Sequence, residues 1–348
     1  MAGLTPLRMI AGFVIAGLLL SACAAPSERR LVSIREGELA AGYLRGQLLY
    51  VETRGVRESV LFRHDLWENK RERIRVPEGF ADSPTWSPDG ERIAFSLTNR
   101  AGQSHIWVVN EDGSDPQQLT FGDVVDDHPS WAPNGEFLVF GSIRDGDYDW
   151  RLFVVRVPTS TTYQRPMSRI ERESDEASSV TIDEGFIATF RDLTAGEVRS
   201  IASDDGHSIF PDWSPDGRFI VYSNRDGANY NLRIHDVTTG TDRLLVDSGG
   251  DDMQARFAPD GARLLYTTNF EDDLWQIWSH DFATEEQTRI IGSDSMDEFP
   301  AFSYDAEFIA FSTGHLAIYR ADAEPFPDGQ LRWAVTINLA WSPDWKAP

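Results

Sequence analysis

The chain has 348 residues, of which 41% are hydrophobic and 25% are charged. Acidic residues outnumber basic residues by 56 to 32, so the formal net charge is −24. That balance disfavours a protein that grips nucleic acid phosphates, and it disfavours attachment through a basic membrane-binding surface. The single cysteine, Cys23, excludes an intramolecular disulfide framework and a cysteine-based zinc site.

The first 22 residues have the layout of a secretory signal peptide. Arg8 precedes an apolar run from Met9 to Leu20, and this run is too short to span a bilayer. The next residues complete the sequence Leu20-Ser-Ala-Cys23, which resembles the lipobox of bacterial lipoprotein signal peptides. The alternative is an ordinary signal peptide that is cleaved near Ala24.

The lipobox resemblance implies that Cys23 is acylated and begins the mature chain. Ala24 follows the cysteine, which implies the outer membrane rather than inner-membrane retention. We therefore expect a lipid-anchored protein of the cell envelope that faces the periplasm. The predicted domains are a lipoprotein signal peptide at 1–22, an acylated N-terminus and tether at 23–45, and one folded domain at 46–348.

A repeated motif around an aromatic residue dominates the rest of the chain. The strong copies are Ser83–Gly90, His128–Gly135 and Phe210–Gly217, and the weaker copies are Gln254–Gly261, Phe299–Ala306 and Leu339–Asp344. The copies follow one another at 39 to 45 residues, except for one interval of 82 residues. That interval indicates a degenerate copy, for which Asp183-Glu-Gly185 supplies the turn and Phe186–Phe190 the following strand.

Each repeat contains four short apolar or alternating segments, and Ser-Pro-Asp-Gly forms a tight turn after the first of them. Four strands in every 40 to 45 residues are typical of a β-propeller. We therefore predict an all-β propeller of four-stranded blades, with seven blades favoured and six as the alternative. Val335–Trp341 is expected to complete the first blade as its inner strand, which closes the ring.

The motif Asp-x-Pro-x-Trp-Ser-Pro-Asp-Gly, with Asn110-Glu-Asp-Gly-Ser114 downstream, resembles the WD40-like repeat of the TolB propeller family. The resemblance implies a propeller over about 300 residues. It also implies a departure from TolB itself, which is soluble and carries an α/β domain before the propeller. Here about 23 residues lie between Cys23 and the first strand, so the expectation is a TolB-like propeller lipoprotein.

The sequence offers little catalytic chemistry. It contains no Gly-x-Ser-x-Gly motif, and none of its seven histidines belongs to a His-Glu-x-x-His motif. We therefore name no catalytic residue and no required cofactor. The tryptophans at 86, 131, 213 and 341 are interpreted as core between blades, because a sugar-binding platform is the weaker explanation of a repeated inner-strand position.

Metal binding has two weak candidates. Asp145, Asp147 and Asp149 alternate along the chain as in a calcium loop, but the loop lacks the glutamate that completes an EF-hand. His128 and His207 precede inner strands and could meet near the axis beside Asp127. Local hydrogen bonding in loops is the favoured explanation of both histidines.

Many aspartates precede the inner strands or follow the second strands, and the strand directions predict that they share one face, the top face. Arg100, Arg144 and Arg225 are expected to pair with these carboxylates across neighbouring blades. A solvated acidic surface and a ligand site are equally compatible with this pattern. The candidate partner-binding residues are Asp82, Asp126, Asp127, His128, His207, Asp251, Asp252, Asp297 and Glu298.

These observations predict a non-enzymatic, monomeric envelope propeller that acts as a protein interaction scaffold or adaptor through its acidic face. The expected partners are envelope proteins and, through Cys23, the membrane, but not nucleic acid. The alternative is a carbohydrate-binding protein or a metal-assisted enzyme that acts on polysaccharides.

Overall fold

The fold is almost entirely β-sheet. A computed structural model describes residues 32–33, 45–53, 58–144, 148–158, 182–201, 206–225, 227–271, 274–292, 296–320, 333–334 and 340–346. Within these ranges the strands form six four-stranded antiparallel groups, which we call blades 1 to 6. One short parallel bridge between Ser104 and Val125 links blades 2 and 3.

The strands are numbered along the chain. A short strand β1 (Val32–Ser33) pairs with the outer edge of blade 6. Blade 1 contains β2 (Gln47–Thr53), β3 (Ser59–Asp65), β4 (Lys70–Arg73) and the C-terminal β25 (Ala340–Lys346). Blade 2 contains β5 (Phe80–Trp86), β6 (Arg92–Thr98), β7 (Ser104–Asn110) and β8 (Gln117–Gln118). Blade 3 contains β9 (Val125–Trp131), β10 (Phe137–Ile143), β11 (Arg151–Arg156) and β12 (Val198–Ser200).

The second half of the chain repeats this arrangement. Blade 4 contains β13 (His207–Trp213), β14 (Phe219–Arg225), β15 (Asn231–Asp236) and β16 (Thr241–Val246). Blade 5 contains β17 (Asp252–Phe257), β18 (Arg263–Thr268), β19 (Gln276–Asp281) and β20 (Gln287–Ile291). Blade 6 contains β21 (Glu298–Phe302), β22 (Phe308–Ser312), β23 (Leu316–Arg320) and β24 (Trp333–Ala334).

The inner strands contact one another in a cycle. β5 contacts β9, and the contacts continue through β13, β17 and β21 to β25, which contacts β5 again. The hydrophobic core lies mainly between adjacent blades. The four tryptophans predicted to be core are indeed buried, with exposures of 5% to 8%.

The C-terminal strand pairs with β2 as predicted, but its residues differ from those expected. Ala340–Lys346 forms the strand, whereas the sequence analysis assigned 335–341, of which 335–339 lie outside the described residues. The sequence Ser342-Pro343-Asp344 resembles the Ser-Pro-Asp-Gly turn, and for this reason it predicts the wrong register. It corresponds instead to Ser83-Pro-Thr85, so Trp345 rather than Trp341 is the counterpart of Trp86.

The predicted degenerate repeat is wrong in its secondary structure. Residues Glu184–Phe190 form a short helix, α1, rather than a strand. Asp183 caps this helix because its Oδ1 accepts a hydrogen bond from Gly185 N at 2.6 Å. Blade 3 is completed by β12, which pairs with β11. The described strands thus form six four-stranded groups, and residues 159–181 lie outside the described ranges, so seven blades and six blades both stay predictions.

The glycines that end the Ser-Pro-Asp-Gly turn and its variants share one backbone conformation. Gly90, Gly135, Gly217 and Gly261 have φ between 70° and 81°. This left-handed conformation is the one that glycine adopts without steric cost. Ala306 occupies the same position in blade 6 with φ of 58°.

Candidate functional site

A β-bulge interrupts the inner strand of every blade at the same place. The bulged residues all have positive φ, between 49° and 56°, although none of them is glycine. They are Ser83, His128, Phe210, Gln254, Phe299 and Ser342. These six residues line one axial cavity, whose empty volume is about 370 Å³ including space open to solvent. Sequence reasoning missed the bulges, because no residue type marks this position.

The axial cavity has an aromatic wall and a polar wall. The rings of His128 and Phe210 lie 4.0 Å apart, and those of Phe210 and Phe299 lie 6.3 Å apart. Gln254 belongs to the polar wall, and its Oε1 accepts hydrogen bonds from Phe299 N at 2.9 Å and from the hydroxyl of Thr267 at 2.7 Å. The cavity therefore offers an apolar surface and hydrogen-bonding groups side by side.

Three carboxylates, which we call the acidic layer, directly precede bulged residues: Asp82, Asp127 and Glu298. Asp82 Oδ1 accepts hydrogen bonds from Trp341 Nε1 at 2.8 Å and from its neighbouring backbone amide at 2.6 Å. Asp127 Oδ1 accepts a hydrogen bond from the hydroxyl of Ser96 at 2.7 Å. Within the described part of the chain, none of the three makes a salt bridge.

Two carboxyl groups of the acidic layer, those of Asp82 and Glu298, titrate near neutral pH. Burial, and then the negative charge of Asp127, raise the pKa of Asp82 to about 7. Burial, and then the charge of Asp297, raise the pKa of Glu298 to about 7. Both carboxyl groups lack a positive neighbour that would stabilise their charged forms.

A second polar set lies two residues after the bulges and joins blades together. Asp344 Oδ2 accepts a hydrogen bond from Trp86 N at 2.6 Å, which ties β25 to β5. Asp212 Oδ2 accepts one from Phe257 N at 2.9 Å, and its Oδ1 lies 3.0 Å from Arg256 Nη1. The sequence signal for this role was the tripeptide Pro-Asp-Trp, which occurs at 211–213 and 343–345.

The structure separates the other candidate residues into different environments. Asp126, Asp252 and Asp297 have no exposed surface. Asp126 Oδ1 lies 2.6 Å from Arg144 Nη2, and Asp252 accepts a hydrogen bond from the hydroxyl of Ser248 at 2.7 Å. Asp251 is half-buried and accepts a hydrogen bond from Tyr230 N at 2.8 Å. Contact with a partner through Asp126 or Asp252 would therefore disrupt bonds within a blade.

The two histidine candidates have different neighbours. His207 Nε2 lies 2.9 Å from a carboxylate oxygen of Asp149, whereas His128 packs on Phe210, and burial lowers its pKa. Cys23, Asp145 and Asp147 lie outside the described residues. Within those residues, no group of three His, Cys, Asp or Glu side chains is placed to hold a metal ion.

The predicted arginine pairs across blades are corrected by the structure. Arg100 binds Glu78, and Arg144 binds Asp126. The guanidinium carbon of Arg225 lies 5.1 Å from the ring centre of Tyr230. Each contact stays within one blade, because the loop between the second and third strands lies beside the start of its own inner strand.

The raised pKa of Asp82 predicts an unusual dependence of stability on pH. A carboxyl group with a pKa of about 7 when folded and about 4 when unfolded binds more protons in the folded state between those values. The free energy of unfolding is thus expected to fall as the pH rises from 5 to 8. We expect Asp82→Asn to flatten this dependence and to stabilise the protein at pH 8 by about 1–2 kcal/mol.

Urea unfolding at several pH values measures the effect. The matched control is Glu68→Gln, at an exposed carboxylate in a turn of blade 1, and its profile is expected to follow that of the parent protein. An unchanged slope in Asp82→Asn would contradict the assigned protonation.

The described helix is not long and apolar enough to cross a membrane.

Comparisons with known proteins find similar sequences for part of the chain. Residues 45–204 match the family described as the TolB beta propeller domain. An uncharacterized protein of Agrobacterium fabrum is 30% identical over 171 residues, which cover 48% of this chain and 48% of that protein. The Tol-Pal system protein TolB of Nitratidesulfovibrio vulgaris is 24% identical over 120 residues, which cover 34% of this chain and 27% of that protein.

The chain thus matches about half or less of the length of these curated relatives. Among solved structures, the crystal structure of TolB from Acinetobacter baumannii has a TM-score of 0.66 at 16% identity. The match covers 86% of this chain and 66% of that chain, and at such identity it shows the fold alone. The family match spans blades 1 to 3, and blades 4 to 6 repeat the same strands and bulges. Residues 45–204 are therefore similar to the TolB beta propeller domain, and the chain is TolB-like in its fold.

Proposed function

We propose that this protein is a non-enzymatic binding propeller of the cell envelope, and that its axial cavity holds a basic segment of a partner protein. The observation that carries this proposal is the acidic layer. Three carboxylates directly precede residues that line the cavity, two of them have a pKa near 7, and none is paired with a cation in the described ranges.

Arg256 lines the cavity but pairs with Asp212, so a lysine or arginine side chain from a partner would be the cation that pairs with the acidic layer. The half-buried position of the carboxylates strengthens such a pair, because solvent screens it less than a surface pair. Since the cation binds the ionised carboxylates, affinity is expected to rise as the pH increases through about 7. The aromatic wall formed by Phe210 and Phe299 would accept an apolar residue beside that charge.

The same proposal includes the wider setting of the propeller. The cycle of contacts among inner strands supports a closed, six-bladed ring. Acylated Cys23 would anchor this ring, as a monomer, to the outer membrane on its periplasmic side. The similarity to the Tol-Pal system protein TolB supports an envelope location and a role in protein interaction.

Charge reversal tests the binding site. We expect Asp127→Lys to reduce crosslinking of envelope partners to a photoreactive residue at Ser342 by at least about tenfold, which corresponds to about 1.4 kcal/mol. The crosslinked partner segment, identified by mass spectrometry, is expected to contain lysine or arginine. Capture is also expected to be stronger at pH 8 than at pH 6.

Glu68→Lys is the control, because it makes the same charge change at an exposed turn in blade 1. Circular dichroism must show that both variants are folded. Equal capture by Asp127→Lys and the parent protein, or crosslinked segments without basic residues, would refute the placement of the partner.

A further inference from the structure

A second cavity lies between blades 4 and 5, on the side of the Ser-Pro-Asp-Gly turns. We call it the inter-blade groove, and its empty volume is about 610 Å³ including space open to solvent. The residues that define it are Phe219, Ile234, Arg243, Phe257, Gly261 and Phe282. Ser214, Pro215, Asp216 and Asp260 of the two turns complete the lining. The groove thus combines an aromatic and aliphatic surface with Arg243 and two turn aspartates.

The same position between blades 3 and 4 is filled by the chain itself. There α1 inserts Phe186 and Phe190 against Trp213 of blade 4, with ring centres 5.0 Å and 6.2 Å from the indole. Both phenylalanines are buried, with exposures of 0% and 2%. Phe137 of blade 3 completes this aromatic cluster, at 5.6 Å from Phe190.

The strand registers make the two positions equivalent. Val139 faces Val154 in blade 3 as Val221 faces Ile234 in blade 4. By the same alignment, Phe219 corresponds to Phe137 and Phe257 to Trp213. The lining of the inter-blade groove therefore repeats the surface that receives α1, one blade further along the chain.

Gly217 and Gly261 show that the repeat extends to the turns. A Cβ added to Gly217 would meet the ring of Phe186 at 2.7 Å and Pro133 at 3.1 Å. A Cβ added to Gly261 would meet Pro215 at 3.6 Å, and no aromatic ring lies within 4 Å of it. The place that Phe186 occupies at one interface is thus unfilled by the described residues at the next.

At three other interfaces between blades, a basic side chain covers the ring of the aromatic residue that corresponds to Trp213. The guanidinium of Arg92 lies 4.8 Å from the ring centre of Trp131, and that of Arg263 lies 5.9 Å from the ring centre of Phe302. The ammonium of Lys346 lies 4.0 Å from the ring centre of Trp86. The counterpart of Arg92 and Arg263 in blade 4 is Phe219, whose ring makes no comparable contact with Phe257 among the described residues.

The two interfaces between blades also have equivalent arginines at the rim. Arg199 faces Val154 in blade 3, and Arg243 faces Ile234 in blade 4, so the two arginines are counterparts. Arg199 donates two hydrogen bonds of 3.0 Å to Asp192, which lies just beyond α1. Arg243 is exposed and makes no salt bridge within the described ranges. A carboxylate on an occupant of the groove would find the same bidentate partner.

We propose that the inter-blade groove binds a short helical segment of a partner protein. The segment carries two aromatic residues four positions apart and a carboxylate two positions after the second, the pattern of Phe186, Phe190 and Asp192 in this chain. Aromatic residues at that spacing lie on one face of a helix, which is the face that α1 buries. This site is separate from the axial cavity, and it does not depend on the function proposed for that cavity.

The probe for the test is a synthetic peptide of residues 183–193 in which lysine replaces Ala188, so that a side-chain lactam between Glu184 and this lysine holds it helical. The protein carries labelled isoleucine methyl groups, and Ile234 lines the groove with an exposure of 3%. We expect peptide addition to shift the Ile234 methyl signal in a saturable manner. Arg243→Glu is expected to weaken binding at least about fivefold, and alanine at both phenylalanines of the peptide to abolish it.

Arg289→Glu is the matched control, because Arg289 is a partly exposed arginine on the outer strand of blade 5 and lies outside the groove. Its affinity for the peptide is expected to equal that of the parent. No shift at 1 mM peptide, or equal binding by Arg243→Glu, would overturn the proposal. If the protein forms a dimer and the peptide competes with dimerisation, the occupant of the groove is a second copy of the chain. That result would overturn the proposal of a different partner protein.

Discussion

A chain truncated after residue 339 is expected to lose its cooperative fold. The deletion removes β25, which is the inner strand of blade 1, and with it the buried side chains of Trp341 and Trp345. Loss of one large buried aromatic residue costs about 3–5 kcal/mol, while whole domains are stable by about 5–15 kcal/mol. The deletion also exposes one edge of β2 and leaves Trp86 N without Asp344. Thermal melting followed by circular dichroism is the measurement.

Deletion of residues 347–348 alone is the control, since these residues follow β25. We expect its melting curve to match that of the full chain. A sharp melting transition at an unchanged temperature in the chain that ends at 339 would contradict the inference that β25 is needed for the stability of the fold.

Phe186→Ala is expected to destabilise the protein by about 3–4 kcal/mol, because it empties a fully buried aromatic site between blades 3 and 4. Surrounding side chains can relax only in part, since Trp213 and Phe137 belong to strands of two different blades. Urea unfolding measures the change as a lower midpoint with a similar slope.

Arg191→Ala is the companion control for this helix. Arg191 is exposed at the C-terminal end of α1, so its removal is expected to change stability by less than about 0.5 kcal/mol. A cost below about 1 kcal/mol for Phe186→Ala would show that α1 does not hold blades 3 and 4 together.

Strand positions in the regular repeats could be predicted because two local signals agree. The apolar segments 92–95 and 219–222 each follow a Ser-Pro-Asp-Gly turn, and the structure has strands there. The same logic failed where one signal appeared alone. Asp183-Glu-Gly185 predicts a turn before a strand, but the spacing of Phe186 and Phe190 suits a helix that buries one face.

The candidate site was only partly accessible from sequence. The pattern identified Asp82, Asp127 and Glu298, which directly precede residues that line the axial cavity. It also included residues whose side chains are buried within a blade. Asp126 is adjacent to Asp127, yet it is buried against Arg144. Successive strand residues point to opposite sides, and the bulge shifts that alternation. Sequence spacing could not locate the bulge, so it could not predict to which side of the inner strand each carboxylate points.

Non-glycine residues in the left-handed conformation have a consequence for how this protein can diversify. Serine, histidine, phenylalanine and glutamine all occupy the bulge with nearly the same φ, so the backbone accepts unrelated side chains there. Each blade therefore contributes one lining residue whose identity can change while the strand pairing is retained. Ligand preference along the axis can thus evolve by single substitutions, one blade at a time.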